Sequence, residues 1–221
     1  MTLIIKGSKL AAVCCALLAI GAASYAASQI MPVALFPDNA GGAYEAQYYD
    51  VGSGMWGNLD DAGSYYWNTA ANSDFVYLPL AQKLGSRVQM YSTYQDVTIG
   101  TRWAAISYLV PTDGLYSWNV QFSDGFGGCT TIARIINTHG GVDTELASAP
   151  VRIDQSPIFS NEGISLNAGD YIRFAVDPDG NMAADTTWIS DLGPLGVPEP
   201  ASLAALITGL AGFAALRRSK R

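Results

Sequence analysis

Few side chains in this sequence are equipped for chemistry, and most of those lie in turns. His139 is the sole histidine and sits in a glycine turn, Asn137-Thr138-His139-Gly140-Gly141. A catalytic histidine needs a nucleophile beside it and an acid to orient it, and a G-x-S-x-G elbow is absent. His139 therefore reads as a surface turn residue. With Cys14 and Cys15 inside the apolar N-terminal run, His139 and Cys129 alone are too few for a zinc-type cluster. Asp60-Asp61 and the pair Asp177/Asp179 could bring two carboxyl groups together, the arrangement a glycosidase uses. Adjacent acids in turns are also ordinary on acidic surfaces, so the expectation is that this is not an enzyme. Asp177-Pro178-Asp179-Gly180-Asn181, with Asp185, is the best metal candidate. Ca²⁺ prefers several oxygen ligands, which closely spaced Asp and Asn can supply. The loop is not an EF-hand, since glycine falls at the fourth position and no Glu closes it. A simple turn is the alternative, and no other cofactor is implied.

The second candidate site is aromatic. Residues 37–72 hold six glycines together with Tyr44, Tyr48, Tyr49, Trp56, Tyr65, Tyr66 and Trp67. Glycine-rich backbone carrying that many rings suggests a long loop or lid laid across the domain, too sticky for a linker. Trp56, Tyr65, Tyr66 and Trp67 would form a ligand platform, with Asn58, Asp60 and Asn68 at its rim. Sugars suit such a surface, because their apolar faces rest on aromatic planes while amides and carboxylates meet their hydroxyls. The alternative is that these rings fill the core.

The elements that must position these residues are strands. Tyr116, Trp118, Val120 and Phe122 alternate strictly with polar residues, as do Ile172, Phe174 and Val176 with Tyr171, Arg173 and Ala175. Period-2 alternation puts one set in a core and the other in water. Further strands are expected over 74–81, 87–99, 102–110, 130–137, 145–153, 163–166 and 187–192. PTDG (111–114), HGG (139–141), NAGD (167–170) and DPDGN (177–181) supply the turns between them. Short strands at this spacing predict an all-β fold, a jelly-roll-like β-sandwich, over residues 73–193. Residues 27–72 form the Gly/aromatic-rich region that precedes it.

Both ends differ from this middle. Lys6 and Lys9 precede Leu10–Ala22, an uncharged apolar run of 13 residues, and small residues follow to Ala26. That run is short for a bilayer span and has the three zones of a signal peptide over residues 1–26. At the other end, residues 194–200 form a linker and 201–216 an uncharged apolar helix. Its 16 residues reach about 24 Å at 1.5 Å per residue. Arg217, Arg218, Lys220 and Arg221 follow as a basic stop (217–221) that stays cytoplasmic by the positive-inside rule. The expected path runs through the general secretion machinery, with the membrane held by the C-terminal helix and the middle left outside. An ordinary anchor at either end is the alternative.

Charge and cysteine count bound the partners and the disulfide chemistry. All 19 acidic residues lie between Asp38 and Glu199, where only six of the 12 basic residues fall, giving that stretch a net charge of −13. So acidic a body repels phosphate backbones, so no nucleic-acid partner is expected, and it would favour neutral glycans over charged ones. Cys14 and Cys15 lie in the leader, so only Cys129 would survive its removal and no internal disulfide is possible.

Val197-Pro198-Glu199-Pro200, the short apolar helix and the terminal cluster opened by Arg217 and Arg218 resemble the PEP-CTERM sorting signal. The resemblance covers about the last 25 residues. It implies recognition by an exosortase, a membrane transpeptidase of exopolysaccharide-producing Gram-negative bacteria. It also implies inner-membrane anchoring before processing, then a place at the cell surface or in the extracellular matrix. A second resemblance spans Trp103–Trp188, through SYLVPTDGLYSWNVQF, ISLNAGDYIRFAVDPDGN and DTTW. This stretch is similar to the jelly-roll modules of many PEP-CTERM proteins, which resemble carbohydrate-binding modules. The expected function is thus that of an exported envelope or matrix protein whose sandwich binds polysaccharide. Two alternatives remain, a purely structural envelope or biofilm protein and an extracellular glycan hydrolase.

Overall fold

Alternation of apolar and polar residues produces strands throughout the molecule. The computed structural model describes residues 27–34, 36, 43–61, 66–67, 79–96, 100–125, 130–180 and 185–192. The leader, the PEP segment, the apolar tail, Tyr65, Cys129 and Asn181 lie outside the described residues. Fourteen strands run in chain order: β1 (Ser28–Gln29), β2 (Tyr44–Asp50), β3 (Met55–Asn58), β4 (Asp60–Asp61), β5 (Tyr66–Trp67), β6 (Leu80–Leu84), β7 (Arg87–Asp96), β8 (Gly100–Leu109), β9 (Gly114–Asp124), β10 (Thr131–His139), β11 (Val142–Val151), β12 (Ile158–Leu166), β13 (Tyr171–Asp177) and β14 (Asp185–Asp191).

They form two layers. The first runs β12–β9–β14–β7–β6–β5–β4, with β1 parallel to β9 on the edge that β14 leaves free. The second runs β3–β2–β8–β13–β10–β11 and is antiparallel throughout. β7 belongs to both: its first half pairs with β14 and β6, then Thr93 and Asp96 pair with β8 across a register shift. Ser28–Leu195 cluster as one unit.

The core lies between the layers, as the alternation requires. Tyr116, Trp118, Val120 and Phe122 of β9 point inward toward Ile172, Phe174 and Val176 of β13. Trp118 and Phe174 join the sheets edge to face, with ring centroids 6.2 Å apart at 88°. The expected turns are present. Gly140, Gly141, Gly169 and Gly180 all take positive φ, and Asp179 does too at 51°. That conformation suits glycine and is tolerated by Asp.

The stretch read as a loop or lid contains sandwich strands. β2 pairs with β8 over seven residues, from Tyr44↔Tyr108 to Asp50↔Arg102. Tyr44 and Ala46 enter the core, and Tyr48 packs against it. Glycines flanking this short alternating segment had disguised it.

Candidate functional site

The outward face of β13 should meet water, yet Arg173 is only 4% exposed and Ala175 is fully buried. Ala105 and Ser107 on the neighbouring β8 are buried as well. The outer face of the second sheet is therefore covered. Ala105, Ala175 and Ile136 form a floor of mostly small residues, and the half-buried indoles of Trp56 and Trp103 pack against it.

These rings belong to a ladder that crosses the sheet. Arg173 lies 4.7 Å over the Tyr171 ring and 4.4 Å over that of Trp56. Trp56 is followed by Tyr49 at 5.0 Å and Tyr49 by Trp103 at 4.7 Å, both pairs tilted. Arg134 closes the row 5.0 Å over Trp103. Guanidinium groups over indoles and tilted ring pairs are each attractive through the ring quadrupole.

The sheet curls to allow this. Trp56 Nε1 donates to Asp143 Oδ2 at 2.8 Å, although β3 and β11 are the opposite edges of the sheet. Laid flat, at about 4.8 Å per strand, those edges would stand roughly 24 Å apart, beyond the reach of either side chain. The outer face is therefore a trough.

Polar groups line its rim. Arg173 Nε donates to Gln47 Oε1 at 3.0 Å, and its Nη1 donates to Thr138 Oγ1. The Thr138 hydroxyl donates in turn to Asp143 Oδ1. Gln47 also accepts from Ser107 and donates to Asn58 and Glu45. Arg134 donates to Asp177 Oδ2 through Nε at 3.0 Å and Nη2 at 2.7 Å, and to Glu145 through Nη1. A register shift where β10 meets β11 leaves Leu146 extra, so Glu145 and Ser148 face the same way and bond at 2.6 Å. That hydroxyl, with Arg134, holds the Glu145 carboxyl below the usual range against the opposing effect of its partial burial. Burial pushes Arg173 down to about 10, with Asp143, Tyr171 and Glu45 acting the other way.

Of the expected platform residues, Trp56 is in the trough. Tyr66 and Trp67 run in β5, whose partners β4 and β6 belong to the first sheet, and their side chains are outside the described residues. Tyr65 is outside altogether. Of the calcium candidates, Asp177 ends β13, where Oδ2 takes Arg134 and Oδ1 accepts the Asp179 N–H at 3.1 Å. The backbone of Asp185 begins β14, and its side chain is not described. Among the described residues no group of three or more His, Cys, Asp or Glu is placed to hold a metal. His139 is exposed at its turn, with Nδ1 2.6 Å from the buried Asp170. Val197, Pro198, Glu199, Pro200, Arg217 and Arg218 lie outside the described residues.

Tyr49, Trp103, Arg134, Asp143 and Arg173 were missed by the sequence reading. A signal was present: Trp103 and Arg173 occupy water-facing registers of otherwise regular strands.

No protein-family model matches the sequence. No curated protein matches it either. Solved structures overlap it partially. One is TmCBM61 in complex with β-1,4-galactotriose, at 14% identity and TM-score 0.32, covering 67% of this chain and 84% of the other. Another is the C-terminal family 22 carbohydrate-binding module of Clostridium thermocellum Xyn10B, at 14% and 0.30, covering 60% and 94%. Murine APRIL overlaps at 10% and 0.22, covering 67% and 99%. Overlaps at this level assign no ligand, activity or partner to the chain.

Proposed function

We propose that this is an exported, non-catalytic polysaccharide-binding protein, and that the trough on the second sheet is its binding surface. The observation that carries the reading is the row of half-buried rings, Trp56, Tyr49 and Trp103, held on a floor of Ala105 and Ala175 between charged rims. Apolar planes offer stacking surface to sugar rings, and the part-exposed carboxylates of Asp143 and Glu145 offer planar partners for hydroxyls. A glycan panel read by affinity electrophoresis tests it, with Trp103→Ala as the probe. Loss of an aromatic anchor typically costs at least ~2 kcal/mol of binding. Retention by any glycan that weakens in the variant, at a melt lowered but still cooperative, supports the surface. Uniform failure across the panel removes it.

The ladder itself favours one other reading. Arginines already occupy faces of Trp56 and Trp103, so the row would also serve as a purely structural brace of an envelope or matrix protein. Under that reading Trp103→Ala lowers the melt and nothing binds.

The sorting reading belongs to the same proposal. A leader over 1–26 and a PEP-CTERM-like tail would deliver the sandwich through the secretion machinery and an exosortase to the cell surface or matrix. Mass spectrometry of the mature protein tests both ends at once. Calcium at Asp177, Asp179, Asn181 and Asp185 is proposed as an accessory ligand, although Asp177 is already engaged by Arg134.

A further inference from the structure

Arg173 is a cation with little anionic company. Its side chain is 5% exposed and lies between the rings of Trp56 and Tyr171. Two of its nitrogens are satisfied by neutral oxygens, Gln47 Oε1 and Thr138 Oγ1. The closest carboxylate, Asp143, stands 3.8 Å from Nη1 and bonds instead to Trp56 and Thr138. Nη2 makes no hydrogen bond among the described residues, and it is not one of the nitrogens sealed from solvent. Arg134 on the same face is the opposite case, bound by two carboxylates. A buried charge without a close partner is costly, and burial duly pushes this guanidinium down to about 10.

We infer that Arg173 is a carboxylate-recognition point in the trough, and that it selects polysaccharides bearing uronate sugars. The inference rests on the polysaccharide reading above. A uronate carboxylate would accept a hydrogen bond from Nη2 while its sugar ring lies against the adjoining aromatic row. The acidity of the whole chain argues for neutral glycans, but exposed charges beyond about 8 Å are largely screened at physiological salt. What lies near Arg173 then decides, and there Asp143, with Glu45 beyond it, is the competing anion.

The test compares polygalacturonate with the same polymer after its carboxyl groups are reduced to alcohols, using the full chain. Wild-type protein should bind the acidic polymer several-fold tighter, and added salt should weaken that binding selectively. Arg173→Gln should reduce acidic binding by roughly tenfold or more and weaken the reduced polymer several-fold less. Because that variant removes a buried group and can unfold, Asp143→Asn serves as the second arm. Asparagine keeps an acceptor for Trp56 Nε1 and removes the competing charge, so affinity for polygalacturonate should rise, a gain that unfolding cannot imitate. Equal binding of both polymers with no gain in Asp143→Asn overturns the inference and leaves the polysaccharide reading standing. Binding of neither polymer, with other glycans of the panel retained, overturns it as well. Binding of nothing in the panel overturns both.

Discussion

The indole of Trp56 and the carboxylate of Asp143 tie one edge of the second sheet to the other through a single hydrogen bond of 2.8 Å. The bond fixes the curl of the sheet as well as the position of the ring. Trp56→Phe keeps an aromatic plane but removes the donor. Asp143 is about one-third exposed, so water can replace part of what is lost. The expected cost is about 1 kcal/mol of stability, read from a urea melt. A cost above ~3 kcal/mol would mean that ring packing, rather than the bond, holds the edge.

Core packing gives a larger effect. Trp118 is 3% exposed and meets Phe174 of the opposite sheet at 88°. Trp118→Ala should destabilise by about 3–5 kcal/mol, through lost transfer energy and the cavity left behind. An unchanged melting temperature would contradict the inward placement of β9.

The pH dependence has a definite sign at Asp191. Burial raises its carboxyl above the ordinary range, against the N–H groups of Ala34 and Val33 and the nearby Lys83. The folded state therefore binds the proton more readily than the unfolded state. Stability from this group falls as pH rises from the ordinary carboxylate value, about 3.9, through the raised folded value. Asp191→Asn keeps an acceptor and removes the charge. Its melting temperature relative to wild type should be higher near pH 7 than near pH 3. The reverse order would remove the desolvation argument.

Export is tested at both ends. Leu17→Asp with Leu18→Asp puts charge in the apolar run and should leave full-length protein in the cytoplasm. Pro198→Ala with Glu199→Ala should permit membrane insertion and abolish removal of the tail. Unchanged processing in that pair would favour a plain anchor. Immunoblots of fractionated cells read both outcomes.

Calcium makes a separate prediction. If Asp177, Asp179, Asn181 and Asp185 hold the ion, its binding raises the melting temperature by mass action. Identical melts in calcium and in chelator would leave the segment as a turn tied by Asp177 to the Asp179 N–H.

The strands of this fold were largely legible. β7 through β11, β13 and β14 fall close to the expected ranges, because Tyr116–Phe122 and Ile172–Val176 follow an alternation that the core enforces, whereas β12 begins five residues before its expected start. β2 was not read as a strand, since glycines bracket it and its tyrosines stood out as part of an aromatic-rich stretch. The trough was legible only in part. Trp56 was singled out by its aromatic neighbours in sequence, but it meets Tyr49 and Arg173, and through Tyr49 reaches Trp103, which the sheet brings together from three other strands. The ladder depends on the sheet curling, and no local pattern encodes curvature.

The parallel strand β1 sets an order of events. Ser28 and Gln29 pair with Tyr116 and Ser117, nearly ninety residues later in the chain. A chain synthesised N-terminus first therefore leaves the ribosome with β1 unmatched. Ile30, buried in the finished fold, has no partner for its N–H until Ser117 of β9 arrives. Asp191, which receives Val33 and Ala34, arrives later still. The segment made first is thus among the last to find its place, and through that interval it is open to a peptidase or a chaperone.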